Sequence, residues 1–452
     1  MDNGIICAPA TSPFNSALAV IRVSGAGCLG IAQRIFISKQ KIEHRKSVYG
    51  SIHDSSGLVD DVMLTWFKAP YSFTGEETFE ISCHGNPLIV QRIIQLLLSF
   101  ENTRFASPGE FTKRAFYNGK MNLTEAQAVN AVIQARSEWE ISSALEQMHG
   151  SLTREILGLK DELIMLRSNI EAAIDFSEEK IEFVTYETAI KKAKNIKSSI
   201  ESLHKRCSIG EKISHGIDVA IIGKPNVGKS SILNYLINAE RAIVSDIPGT
   251  TRDIIKESVQ IKGIHVNLFD TAGIRVSEDS IEKIGIERSR KALGDAAIIL
   301  AVFDQLTGLT DEDKNIVDDL QKHANIIVLL NKSDLKTGMK DSTLLNQYTD
   351  IIEFSAVTGQ GLKEVEDCVE KIVTNNFGNF KKSFTADIRI VQLFEKAVEY
   401  CLSLITVLEN EEPEEIAAFE IRQLTDVLKE ITGEISTDDI LDSIFTRFCI
   451  GK

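Results

Sequence analysis

A glycine-rich segment near the middle of the chain has the residue types that hold phosphate groups. It is Gly223-Lys-Pro-Asn-Val-Gly-Lys-Ser230, and it fits the phosphate-loop pattern, in which glycines let backbone N–H groups converge on phosphate oxygens. Lys229 would add a positive charge, the following helix its N-terminal dipole, and the Ser230 hydroxyl a ligand for Mg²⁺. The apolar run at 218–222 predicts a strand before the loop. The pattern alone leaves one alternative, a plain glycine turn.

Three later segments argue against that alternative, because each follows a predicted strand: Asp270-Thr-Ala-Gly273, Asn331-Lys-Ser-Asp334 and Ser355-Ala356. Asp270 is suited to hold Mg²⁺ through water, and the Gly273 N–H to meet a γ-phosphate. Asp334 offers two acceptor oxygens to the paired N–H donors of guanine, which adenine lacks. Open α/β sheets bind ligands at this end of their strands. The set resembles the translation-factor-related GTPases and predicts GTP binding and hydrolysis.

The segment Ser245-Asp-Ile-Pro-Gly-Thr-Thr-Arg-Asp253 is interpreted as the switch of this GTPase class. Pro248 and Gly249 make it a turn that can reorder, and Thr251 would join Ser230 as a Mg²⁺ ligand. A surface loop without a ligand is the alternative. The predicted GTP contacts are Asn226, Val227, Gly228, Lys229, Ser230, Ser231, Ser245, Thr250, Thr251, Asp270, Thr271, Ala272, Gly273, Asn331, Lys332, Asp334, Ser355 and Ala356.

The residue after Gly273 indicates an unusual hydrolysis chemistry. It is Ile274, whose side chain cannot orient the attacking water as a glutamine would. No arginine is an obvious finger, although Arg252 and Arg275 are nearby, and such a finger contributes about 10³–10⁵ in rate. The side-chain carbonyl of Asn226 is suited to hold a monovalent cation against the phosphates. We therefore hypothesise that K⁺ takes the place of the finger.

The bulk properties are those of a globular multidomain protein. The chain has 452 residues, 43% of them apolar and 25% charged, which predicts two or three domains. The net charge is 50 − 65 = −15, which argues against a broad nucleic-acid surface. Local basic patches remain at Lys191-Lys-Ala-Lys194 and Lys381-Lys382, where solvated faces are the favoured interpretation. Seven cysteines without a CxxC pair disfavour disulfides and zinc and favour a reducing cytoplasm. Neither a membrane span nor a signal peptide is predicted.

Three kinds of hydrophobic pattern divide the sequence into regions. Residues 1–118 have short β-branched runs and one amphipathic helix at 87–99, which predicts an α+β domain. An apolar stripe with helical spacing, from Leu152 to Ala173, predicts a packed helix, and helices are also predicted at 388–409, 412–432 and 437–447. Between these stretches, apolar runs alternate with helix-like segments, as in a mostly parallel sheet. The predicted domains are 1–118, a helical domain formed by 119–213 with 378–452, and an inserted α/β domain at 214–377.

Stretches outside the α/β domain make the chain similar to the MnmE (TrmE) family of tRNA-modification GTPases. These stretches are Ser72–Glu80, Cys83–Pro87, Arg104–Ala126, Ile174–Glu179 and Phe448–Lys452. The resemblance covers residues 3–452. It implies an N-terminal domain like folate-binding domains, with a 5-formyltetrahydrofolate-type ligand contacted by Arg22, Glu80, Lys120 and Lys452. Considered without the family, Glu80 is equally well interpreted as a solvated residue.

The resemblance also assigns the hydrolysis machinery and the partners. It makes Glu282 the general base or water-orienting group, alongside Asn226, Lys229 and Thr251, and it implies that K⁺ is held by Asn226, Ser245, Ile247 and Thr250. Family members are expected to form homodimers through their N-terminal and GTPase domains. They work in a heterotetramer with MnmG, a flavin and NADH enzyme. The implied product carries a carboxymethylaminomethyl or aminomethyl group on C5 of the tRNA wobble uridine.

Two other functions are compatible with parts of this sequence. A ribosome-assembly GTPase usually adds an RNA-binding module after its GTPase domain, whereas here the following segment is acidic and helical. A non-catalytic, nucleotide-gated scaffold is disfavoured by the presence of Ser230, Thr251, Asp270 and Glu282. Both remain alternatives to the tRNA-modifying GTPase.

Two features bear on the predicted folate site: the role of one cysteine and a segment that departs from the family pattern. Cys449 is either a nucleophile or a wall of the pocket, and the second role is favoured because only Arg447 and Lys452 are basic nearby. The segment Thr11-Ser-Pro-Phe-Asn-Ser-Ala17 replaces a turn that is usually glycine-rich in the family. This change is expected to alter the pocket rim or the N-terminal dimer contact.

Overall fold

The computed structural model describes residues 4–175, 185–239, 256–270, 296–321, 323–335 and 345–452. The chain divides into two compact units. The first contains Met1–Ile133, Gln147–Lys197 and Lys396–Lys452, and the second contains Gln134–Glu146 and Ser198–Glu395. The domain limits drawn from the sequence stay a prediction.

A seven-stranded sheet lies in the first unit, in the order β3-β4-β5-β6-β2-β1-β7. Its strands are β1 (Ile5–Pro9), β2 (Ser16–Ser24), β3 (Phe36–Ile37), β4 (Ser47–Asp54), β5 (Gly57–Phe67), β6 (Thr78–Gly85) and β7 (Thr103–Phe105). Neighbouring strands are antiparallel except β1 and β7, which are parallel.

The two faces of this sheet differ because successive side chains of a strand point to opposite sides. In β2, Ala19, Ile21 and Val23 are buried, whereas Arg22 between them is partly exposed. In β6 the alternation repeats, and Glu80 lies on the face of Arg22, directly opposite it. The apolar face is covered by helices, and the other face presents charged groups at a fixed register.

The helices are α1 (Cys28–Ile35), α2 (Pro87–Leu98), α3 (Glu110–Tyr117), α4 (Leu123–Gln134), α5 (Glu138–Met148), α6 (Ser151–Asp175), α7 (Tyr186–Ser214), α8 (Lys229–Ala239), α9 (Asp311–Leu320), α10 (Leu362–Phe377), α11 (Ile388–Glu409), α12 (Glu414–Thr432) and α13 (Asp438–Phe445). Their bounds lie close to the helices predicted at 87–99, 388–409, 412–432 and 437–447. None of the helices in the described ranges is both long and apolar enough to cross a membrane.

The predicted apolar stripe is the buried side of α6. Leu152, Ile156, Leu159, Leu163, Leu166 and Ile170 are all buried, and nothing is described of the Ala173 side chain. Helix α6 packs against α12, where Lys160 forms an ion pair with Glu434. Lys194 of α7 likewise pairs with Glu409 of α11 at 2.6 Å. Helices from both sides of the inserted segment therefore pack together, as the sequence predicted.

The second unit contains a six-stranded sheet in the order β13-β12-β11-β8-β10-β9. Its strands are β8 (Ile217–Ile222), β9 (Lys256–Ile261), β10 (Ile264–Asp270), β11 (Ile298–Asp304), β12 (Ile326–Asn331) and β13 (Ile351–Phe354). All neighbours are parallel except the β9–β10 hairpin. Every residue of β11 is buried, as expected for a sheet covered on both faces. The predicted fold class, α+β with an inserted, mostly parallel α/β domain, is confirmed.

In the six-stranded sheet, strand β9 was not predicted from the sequence. It lies at the sheet edge and carries polar residues, Lys-Glu-Ser-Val-Gln-Ile, so it lacks the continuous apolar run of the central strands. The turn between β9 and β10 is formed by Lys262 and Gly263, which both have positive φ, 51° and 78°. A two-residue turn of that kind is the one that joins antiparallel strands.

Candidate functional site: a guanine nucleotide site and an amino-terminal ion cluster

The phosphate loop connects β8 to α8, as its sequence predicted. Asn226 at its crest has a left-handed backbone, φ 65°, and its side chain is exposed. Gly228 has φ 99°, and a Cβ there would lie 2.2 Å from the Asn331 side-chain nitrogen. Any other residue at position 228 would therefore push the loop away from Asn331.

Lys229 is the first residue of α8, and its side chain is buried within the loop. Its ammonium donates to the carbonyl oxygens of Gly223 and Lys224, both at 2.7 Å. Ser230 follows with an exposed side chain. The loop thus places a fixed positive charge, the N-terminal dipole of α8 and a hydroxyl group together, which is the combination that binds a phosphate–metal unit.

Asn331, the last residue of β12, ties the loop to the rest of the site. Its buried side-chain amide donates to the Val227 carbonyl at 2.7 Å, and its amide oxygen accepts from the Ala356 N–H at 3.4 Å. Because both contacts are to backbone, the residue acts as a bridge between two loops. The sequence placed Asn331 at the site, and the structure gives it this bridging role.

Lys332 lies on the other side of the same loop. Its ammonium donates to the buried Asp304 carboxylate at 2.6 Å and to the Asn226 carbonyl at 3.4 Å. Burial, the largest single influence, raises the pKa of Asp304, but the hydrogen bond and charge of Lys332 together with the backbone N–H groups of Leu306 and Thr307 bring that pKa below its usual value. Asp304 was missed in the sequence, although it ends β11 at the sheet edge where the other site residues were sought.

Asp334 lies in a short 3₁₀ turn, Ser333–Leu335, just after β12. One of its carboxylate oxygens accepts from the Ser355 hydroxyl at 2.7 Å. Ser355 is fully buried, and its hydroxyl oxygen also accepts backbone N–H groups of Val357 and Thr358. The carboxylate that would recognise guanine is therefore held in place by the residue that begins the next predicted motif.

Several predicted site residues lie outside the described part of the chain. They are Ser245, Ile247, Thr250, Thr251, Thr271, Ala272, Gly273 and Glu282, together with Ile274, Arg252, Arg275 and residues 176–179 of one family-like stretch. The backbone of Asp270 ends β10 and pairs with Ile221 of β8, so it reaches the sheet edge from which the phosphate loop starts. The structure brings together the phosphate loop, Asn331–Asp334 and Ser355–Ala356.

A second cluster forms on the charged face of the seven-stranded sheet. The Arg22 guanidinium donates to one Glu80 oxygen through Nε and Nη2, each at 2.8 Å, and to the Gly451 carbonyl through Nη1 at 3.2 Å. Its centre also lies 5.5 Å from the Phe73 ring and 5.7 Å from the Phe111 ring. These rings stabilise the cation, and neither was identified from the sequence.

The carboxyl-terminal residues close this cluster. Burial lowers the pKa of Lys452, as does the nearby Arg22 charge, while Glu80 acts in the opposite direction. Gly451 has φ 89°, and a Cβ there would lie 2.1 Å from the Pro9 carbonyl oxygen. Only glycine therefore allows this close approach of the tail to β1.

The remaining two predicted residues have separate surroundings. The Lys120 ammonium donates to the Pro70 carbonyl at 3.1 Å. Cys449 is exposed, and its carbonyl accepts the N–H groups of Gly109 at 3.4 Å and Lys452 at 3.3 Å. The backbone of Cys449 thus holds the tail, and the roles of its thiol as nucleophile or wall both stay predictions.

The chain is similar to known proteins along its whole length. A family model described as the MnmE helical domain matches residues 123–449, and one described as the GTP-binding protein TrmE N-terminus matches residues 5–120. The chain belongs to the MnmE family. It is 39% identical over 455 residues to the tRNA modification GTPase MnmE of Clostridioides difficile, and 40% identical over 456 residues to that of Aquifex aeolicus. Each match covers 99% of both chains.

Among solved structures, the chain matches Era in complex with MgGDPNP and a 16S ribosomal RNA segment. That match is 30% identical, covers 35% of this chain and 55% of Era, and has a TM-score of 0.28. Since a score of this size carries no argument about the fold, the GTPase-domain assignment of this MnmE family member rests on its sheet order and motifs.

The Asp334 geometry predicts a change of base specificity. In Asp334→Asn, the amide would place a donor against the guanine N–H groups, so GTP affinity should fall roughly 100-fold or more. Xanthine, which has an oxygen at the same edge, should then be accepted. Equilibrium binding of fluorescent GTP and xanthosine triphosphate measures both effects.

The matched control is Asp350→Asn, which removes a carboxylate paired with Lys371 at 2.9 Å and is expected to leave both affinities unchanged. Unaltered GTP affinity in Asp334→Asn would refute the assignment of Asp334 to the base.

Proposed function

We propose that this chain is a GTPase of tRNA modification. It hydrolyses GTP at the edge of the six-stranded sheet and, with a MnmG-type flavin and NADH partner, adds a carboxymethylaminomethyl or aminomethyl group to C5 of the wobble uridine. The observation that carries the GTPase part is the bond from Ser355 to Asp334, which fixes a guanine-reading carboxylate on the edge that carries the phosphate loop. The named tRNA modification GTPases, similar along 99% of their length, support the tRNA part.

The residues divide the work of hydrolysis in the following way. Lys229 neutralises phosphate charge from within the loop, and Asn331 and Lys332 keep the loop in its binding shape. Ser230, whose exposed hydroxyl lies at the start of α8, and Thr251 would hold Mg²⁺, which neutralises charge on the phosphates. Glu282 is proposed to orient the attacking water.

The test of the tRNA function is the composition of wobble uridines in a deletion strain. We expect mass analysis of its tRNA nucleosides to show loss of the carboxymethylaminomethyl and aminomethyl groups at uridine C5. Expression of the native chain should restore them, whereas a chain carrying Asp334→Asn should not. A deletion strain with a full complement of modified uridines would contradict the proposed function.

We propose further that K⁺ contributes to hydrolysis, held by Asn226, Ser245, Ile247 and Thr250. The support is at Asn226, where the left-handed backbone leaves the side chain exposed and Lys332 fixes the carbonyl. A cation beside the phosphates would supply the charge stabilisation that an arginine finger gives in other GTPases.

The K⁺ proposal predicts cation-dependent turnover. At equal ionic strength, GTP turnover should be at least about tenfold faster in K⁺ than in Na⁺, a modest share of what an arginine finger supplies. Asn226→Ala should remove most of the difference while leaving GDP affinity within a few-fold. Equal rates in the two salts would exclude a K⁺ role.

A folate-type ligand is proposed for the amino-terminal cluster. Binding at this site would require neither Mg²⁺ nor a nucleotide. Glu80 would accept the N–H donors of a pterin, while Arg22, Lys120 and Lys452 would balance the anionic tail. The fit is supported by the position of Lys452, which is half-buried within reach of the charges of Arg22 and Glu80. The ligand we propose is of the 5-formyltetrahydrofolate type that the family resemblance implies.

This site predicts a selective loss in Arg22→Ala. Binding of 5-formyltetrahydrofolate should weaken at least about tenfold, the scale of one lost hydrogen bond to a charged group, as measured by equilibrium titration. Arg92→Ala removes another ion pair of the same domain, with Asp54 at 2.7 Å, and should bind as the native chain does. Equal folate affinity in both variants would count against the cluster.

Association into a homodimer through the N-terminal domain is also proposed. Phe14, Leu18 and Leu88 have exposed side chains, at 74%, 64% and 69% of their full area. Phe14 and Phe105 line a mostly apolar cavity of about 240 Å³. Exposed apolar groups around a cavity are typical of an interaction surface, which supports the homodimer.

A further inference from the structure

The second residue of the phosphate loop, Lys224, is tied to a different part of the chain. Its ammonium donates to the Asp313 carboxylate at 2.7 Å and to the Thr310 hydroxyl at 3.2 Å. Sequence analysis gave Lys224 no role, since the loop pattern allows any residue at that position. The contact joins the loop to the start of α9, 89 positions further along the chain.

Asp313 is a rigid anchor for this lysine. Its side chain is 1% exposed, and the same carboxylate oxygen accepts the N–H and the hydroxyl of Thr310, both at 2.8 Å. The bond from the Thr310 N–H is one half of the capping box that begins α9, and the other half is the Asp313 N–H donating to the Thr310 hydroxyl oxygen. Such capping fixes the backbone of the first turn. The Lys224 ammonium thus meets an oxygen whose position the helix already determines.

Lys224 in turn fixes the backbone that holds Lys229. The Lys224 carbonyl is one of the two oxygens that accept the Lys229 ammonium. A loop residue anchored at its side chain loses conformational freedom before a ligand arrives, so binding has less entropy to remove. The Asp304–Lys332 pair restrains the other side of the loop in the same way, because the Lys332 ammonium also donates to the Asn226 carbonyl.

The two anchors have a common origin. Asp304 is the last residue of β11 and Asp313 lies in the first turn of α9, so the two carboxylates lie at the two ends of the one connection that follows β11. We propose that this connection is a bracket for the phosphate loop and that Lys224, held by Asp313, is a positioning residue for nucleotide binding. The inference rests on the proposed GTPase function and goes beyond it by naming a residue pair that acts through the backbone of the phosphate loop.

The test compares Lys224→Met with the native full-length chain in the presence of Mg²⁺ and K⁺. Methionine keeps the unbranched stem and leaves the Asp313 capping bonds to Thr310 intact. We expect affinity for fluorescent GDP and the reciprocal KM for GTP to fall together, about tenfold, the scale of a hydrogen bond to a charged group. The kcat should stay within about twofold, because an interaction used equally by ground and transition states changes KM alone.

Two further variants separate positioning from general stability. Lys224→Arg keeps a cation within reach of Asp313 and should restore most of the lost affinity. Lys314→Met removes the exposed ion pair with Asp311 at 2.8 Å on the same helix and should bind GDP as the native chain does. Thermal unfolding of all three variants shows whether the GTPase domain is intact.

The outcomes distinguish failure of the proposed GTPase function from failure of the positioning role of Lys224. If the native chain binds neither GDP nor GTP, the proposed GTPase function is wrong. If the native chain binds both and Lys224→Met binds GDP with the same affinity, the bracket is wrong. A loss of kcat at unchanged GDP affinity would also overturn it, since that result would place Lys224 in the chemical step.

Discussion

The buried amide of Asn331 is the contact on which the nucleotide site depends. It holds the Val227 carbonyl with one end and the Ala356 N–H with the other, joining the phosphate loop to the segment that follows the last strand. Both partners are backbone groups, and each would be costly to leave unpaired at a buried sheet edge. The amide therefore fixes the distance between the phosphate loop and the loop after β13, the parts of the site proposed to bind phosphate and base. Gly228 serves the same contact, because a side chain there would occupy the space of the amide.

The parallel sheet makes this contact possible. Strands β8, β11, β12 and β13 are parallel neighbours, so their carboxyl ends lie along one edge, and residues that are far apart in sequence meet there. The carboxylates of Asp304, Asp313 and Asp334 each hold or are held by a side chain from another segment. The site is consequently a set of carboxylates whose positions are already fixed by partner side chains, so a nucleotide that binds there would require little rearrangement.

The amino-terminal cluster uses the antiparallel sheet in a comparable way. Register places Arg22 directly across from Glu80, and the tail contributes Gly451 from 429 positions away. Aromatic rings of Phe73 and Phe111 lie against the guanidinium, which keeps the ion pair in one geometry. This cluster also has a steric requirement at position 451, because the tail approaches Pro9 so closely there that only glycine fits.

The sequence by itself determined most elements of the α/β domain and the chemical character of the nucleotide site, whereas the amino-terminal site was expected only from the family resemblance. Hydrophobic period separated the α6 stripe from the continuous apolar strands, and the order of Gly223–Ser230, Asp270–Gly273 and Asn331–Asp334 indicated a guanine nucleotide. These features were predictable because they follow from local spacing. Edge strand β9 was missed because a half-polar edge lacks the apolar run of a central strand.

Only the tertiary structure decided which side chains are partners. The bridge made by Asn331, the Lys224–Asp313 and Lys332–Asp304 pairs, and the docking of Gly451 all join residues that no local pattern relates. Many of the atoms concerned are backbone carbonyls and N–H groups, which every residue carries and which therefore leave no mark in the sequence. Their pairing is set by strand order, register and close approach, and those exist only once the chain has folded.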